Sequence, residues 1–144
     1  MPYHAGTGFL VLALAVAGAV MVRGGTAEKE VDRAGVGHNC RSTLPRELEL
    51  SCGTYGFGDL RQVCPADGPC ERTTAVTGRN FGSATVYVTV IAGPAPGDGR
   101  QGGEQRIASG RSAVLRPPEG QWLFDITLRG AGPDPKRLTV TGIR

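Results

Sequence analysis

Nine residues, Gln121–Arg129, constrain this chain more than any other stretch. Trp122, Phe124, Ile126 and Leu128 fall on alternate positions, with Asp125, Thr127 and Arg129 between them. Period-2 alternation of aromatic and branched residues is the pattern of a half-buried β-strand. It places those four side chains in a core and leaves Leu123 as the exception. Burial of such side chains contributes about 1.5–3 kcal/mol each. A chain with this strand needs other strands to cover it.

The downstream sequence supplies them. Thr73–Thr77, Thr85–Ile91, Gln105–Ala108, Ser112–Leu115 and Arg137–Ile143 read as strands, and Glu47–Ser51 alternates in the same way. Ser109-Gly110-Arg111 reads as a hairpin turn between two of them, and Gly93–Gly103 as a long solvated loop. The 23 Gly and 10 Pro suit many turns between short strands. The expected fold is all-β: a small antiparallel sandwich of about seven strands, preceded by an N-terminal hydrophobic signal helix.

Phe9–Val22 is an apolar run of fourteen residues without a charge. As a helix it would cover about 21 Å, short of a hydrocarbon core of about 30 Å. The expectation is a signal peptide over residues 1–27, cleaved after Ala27, with an uncleaved membrane anchor as the alternative. No Lys or Arg precedes the run, which departs from the usual signal pattern. Residues 28–39 then read as a flexible leader, and 40–144 as the folded domain.

All four cysteines, Cys40, Cys52, Cys64 and Cys70, follow the apolar run. An even set in a small exported chain reads as a disulfide framework. Cys40–Cys52 with Cys64–Cys70 is the favoured pairing, and the interleaved pairings stay open. The spacings lack the close Cys-x-x-Cys pairs of a zinc site. His38, in the expected leader, is the only histidine after the apolar run, and no partner is spaced for it. No metal or other cofactor is expected.

The fourteen arginines among sixteen basic residues are scattered, which argues against a nucleic-acid stripe. No nucleophile, base and oxyanion set is legible, so no enzyme is expected. Glu47 and Glu49, two apart on a strand, would stand about 6.5–7 Å from each other, a spacing that glycosidases use, but on a wet face. Tyr55 and Phe57 share strand parity among glycines and form the candidate binding surface. The function expected is an exported cell-envelope or extracellular binding module. Its partner would be an unknown protein or glycan at the cell surface, with membrane contact only through an uncleaved N-terminal segment. The alternative is a secreted protease inhibitor presenting a disulfide-braced loop.

Overall fold

The described residues form ten strands, and the chain passes between two sheets as it makes them. The computed structural model describes residues 33–130, 132 and 134–144. The apolar run, and the signal or anchor reading attached to it, lie outside the described residues. Among the described residues no helix is long and apolar enough to cross a membrane.

The strands are β1 (Asn39–Ser42), β2 (Leu50–Ser51), β3 (Gln62–Val63), β4 (Glu71–Arg72), β5 (Val76–Arg79), β6 (Val86–Gly93), β7 (Arg100–Ile107), β8 (Ser112–Leu115), β9 (Trp122–Gly130) and β10 (Lys136–Ile143). One sheet has the order β1-β10-β5-β8 and the other β2-β9-β6-β7, while β3 and β4 form a separate ribbon. All these pairs are antiparallel. Val76, Leu115, Leu138 and Val140 from the first sheet meet Val86, Val88, Ile126 and Leu128 from the second in one buried cluster. The all-β sandwich expected from the alternation is therefore present.

Both disulfides pair as favoured. Cys40 on β1 bonds Cys52 just after β2, so this bridge ties the two sheets together through the core. Cys64 and Cys70 close the β3–β4 ribbon. Two such bonds suit an oxidising compartment outside the cytoplasm.

Several local expectations change. Ser109-Gly110-Arg111 does not turn a hairpin: β7 pairs with β6 and β8 with β5, so this turn carries the chain from one sheet to the other. The long loop shrinks to residues 94–99, because Arg100–Gly103 belong to β7. Seven of the eight β7 residues are exposed, as a polar edge strand should be. Gly102 and Gly103 together oppose Val90 in a bulge, where the small residues ease the kink. Glu47–Glu49 is not strand, and Leu48 is half exposed. The expected leader is docked over Arg33–Asn39. Ala34 N donates to Asp59 O (3.1 Å), Gly37 N donates to Val140 O (2.8 Å), and Asn39 opens β1.

Candidate functional site

The alternation that defines β9 breaks in its first half. Ile91 pairs with Asp125, and the next residue, Ala92, pairs with Leu123, so Phe124 is an extra residue. A bulge of this kind re-aims the side chains around it. Leu123, the apparent exception in sequence, is fully buried, and Trp122 and Phe124 are only half-buried. The expectation that Trp122 and Phe124 belong to the core is thus corrected. Ile126 and Leu128, beyond the bulge, are in the core as expected.

Asp125 fixes this bend. Its carboxylate accepts from Ser51 Oγ (2.6 Å), Gly53 N (2.8 Å) and its neighbour Ile126 N (2.8 Å). Hydrogen bonds to a charged acceptor are the stronger kind. The same contacts anchor the one-turn π-helix Gly53–Phe57. Gly56 in that turn lies against β1, where a Cβ would collide with the Asn39 carbonyl. The turn sends Tyr55 outward, 70% exposed, and Phe57 inward, fully buried. Tyr55 and Phe57 do not form one surface, because the segment is not a strand and strand parity does not apply. His38, which is half-buried, donates from Nδ1 to the Phe57 carbonyl (3.0 Å).

The disulfide-closed ribbon supplies the surroundings of Trp122. The Arg72 guanidinium lies 4.3 Å from the Trp122 ring centroid, a cation–π distance, and its Nη1 donates to Gly120 O (2.6 Å). From the other strand of the ribbon and its approach, Gln62 and Arg61 join Pro96, Trp122 and Phe124 around a cleft of about 200 Å3. Arg61 is itself fixed: Nε and Nη2 donate to the Asp59 carboxylate at 2.9 and 2.8 Å. Arg33 contacts both ribbon sulfurs, Cys64 and Cys70.

The hydrogen bond from Arg61 holds the Asp59 carboxyl below its ordinary pKa, against the opposing effect of partial burial. A depressed carboxylate pKa stabilises the fold above the unfolded value, near about 4, and that contribution is lost as pH falls through the folded value. Urea midpoints measured between pH 6 and pH 2 are therefore expected to show an acid loss that is smaller in Asp59→Asn.

Three further clefts, of about 660, 470 and 340 Å3, each include Gln121 in their walls. They lie where the 94–99 loop, the Arg116–Gln121 connection and the residues after β4 come together. Thr73 borders the smallest of the three; it is fully buried and its hydroxyl has no hydrogen-bond partner among the described residues. One end of the sandwich thus gathers outward aromatics, arginines and concave surface. Sequence reasoning missed it because the bulge is invisible to a period-2 rule.

Glu47 and Glu49 are exposed, and Glu49 accepts from Gln101 Nε2 (2.8 Å). Among the described residues, no three His, Cys, Asp or Glu side chains gather as a metal site would require. Comparison with protein-family models, with curated proteins and with solved structures finds no match for the chain.

Proposed function

We propose that this protein is an exported, non-catalytic binding module that takes its partner at the Trp122 end of the sandwich. The observation that carries the reading is the bulge at Phe124, which turns two aromatic rings outward beside Arg72. Large aromatics and arginines are the residues that most often dominate binding energy. Here they stand on a rigid strand and on a ribbon closed by a disulfide, so little order is lost on binding. The partner in this reading is a protein or glycan of the cell surface, consistent with the oxidising compartment that two disulfides favour.

The test is association of the fluorescently labelled protein with envelope preparations from its own host. Trp122→Ala combined with Phe124→Ala is expected to weaken association at least about tenfold, the scale of one hot-spot residue. Circular dichroism should stay unchanged. Tyr55→Ala should bind as the parent does. A loss with Tyr55→Ala, and none with the double variant, would move the site to the π-helical turn.

A second reading has one observation in its favour. Every residue from Pro65 to Cys70 is exposed, and the Cys64–Cys70 bond closes that loop. This is the form a protease-inhibiting loop would take. Titration of secreted proteases with the protein separates the two readings.

A further inference from the structure

The 470 Å3 cleft lies between the first half of β7 and the Arg116–Gln121 connection that follows β8. Its volume lies within the range of small-molecule sites, about 300–1,000 Å3. Val90 and Ala92, both core residues of β6, line it, together with Pro117 and Pro118. Arg100, the first residue of β7, and Arg116, the residue after β8, both stand in its wall. Neither has a carboxylate partner among the described residues. No acidic residue lines the cleft: Asp98 and Glu119 border its two neighbours instead. Gln101, in the cleft wall, donates from Nε2 to the Glu49 carboxylate (2.8 Å).

We infer that this slot binds a small anion that carries its carboxylate on a compact apolar body. The apolar lining accepts the body, and the two unpaired guanidiniums receive the charge. Arginine suits a carboxylate because its planar donors match the two oxygens. The apolar body displaces water from the lining as it binds. This inference rests on the reading of this end of the sandwich as a binding surface. It does not use Trp122 or Phe124.

The experiment is a two-dimensional amide NMR titration of the 15N-labelled protein with hexanoate. Saturable shifts are expected at residues 90–92, 100–105 and 116–121. Arg100→Gln and Arg116→Gln, both at exposed positions, should each weaken binding about tenfold with the rest of the spectrum unchanged, as expected for loss of one charge-assisted contact. Hexanol and hexylammonium share the chain without the anion and should bind at least about tenfold more weakly. Glucuronate, a sugar-borne carboxylate without an apolar chain, should also bind more weakly. Equal binding of hexanol, or unaltered affinity in both arginine variants, overturns the inference. Glucuronate binding tighter than hexanoate also overturns it, because the apolar lining would then be unused. Trp122→Ala with Phe124→Ala should retain hexanoate binding, so failure of the slot and failure of the envelope reading are seen separately.

Discussion

Leu123→Ala is expected to destabilise the domain by about 2–5 kcal/mol, the usual range for emptying a buried leucine site. Phe124→Ala, although it removes a larger side chain, should cost about 1 kcal/mol or less, because its ring is only half-buried outside the core. The order follows from the bulge alone. Leu123 pairs opposite Ala92 and reaches the core, and Phe124 is the residue that has no partner on β6. An unbroken pleat would reverse the order. Urea midpoints of the two variants decide it: a Phe124 variant less stable than the Leu123 variant would mean that the aromatic pair is core. The surface proposed for binding would then not exist.

The two disulfides should also differ sharply. Cys40 and Cys52 are twelve residues apart, fully buried, and join the sheets. Loss of a loop of this length costs about 3 kcal/mol by the chain-entropy relation. Against a net stability of about 5–15 kcal/mol, Cys40→Ala with Cys52→Ala is therefore expected to remove between about a fifth and three fifths of it. Cys64 and Cys70 are six apart and close a ribbon whose paired strands are two residues long. That ribbon can open by itself, so Cys64→Ala with Cys70→Ala should move the global midpoint by less than about 1 kcal/mol. Faster amide exchange over residues 62–72 is the expected mark, together with a weaker Trp122 surface, since the ribbon carries Arg72. An equal loss of global stability in both double variants would show that the ribbon folds as one unit with the sandwich.

Much of the sandwich was legible because its strands obey simple patterns. Val86, Val88 and Val90 alternate without interruption and are all buried. The disulfide pairing followed from the short, turn-rich loop between Cys64 and Cys70. What the patterns hid was local. The first half of β7 reads as loop because Arg100-Gln101-Gly102-Gly103 has nothing to bury, and an edge strand exposed on both faces needs nothing to bury. Gly53–Phe57 reads as a strand because Tyr55 and Phe57 are two apart. Glycines at 53, 56 and 58 instead permit a tight turn against Asn39 and Asp125. The candidate site was hidden by the same cause as the order of Leu123 and Phe124. A single added residue moves every preceding side chain to the opposite face, and nothing in one sequence marks where it is added.

The position of β10 has a consequence for synthesis. It lies between β1 and β5, pairing with both, and is the last strand of the domain. Until β10 has left the ribosome, β1 has no strand to pair with, β5 has only β8, and the core lacks Leu138 and Val140. The sheet built on β10 therefore closes only when this strand arrives, whereas β2-β9-β6-β7 has all its strands by Gly130. A chain stopped before Lys136 would hold one complete sheet, with the other still parted into β1 and the β5–β8 pair.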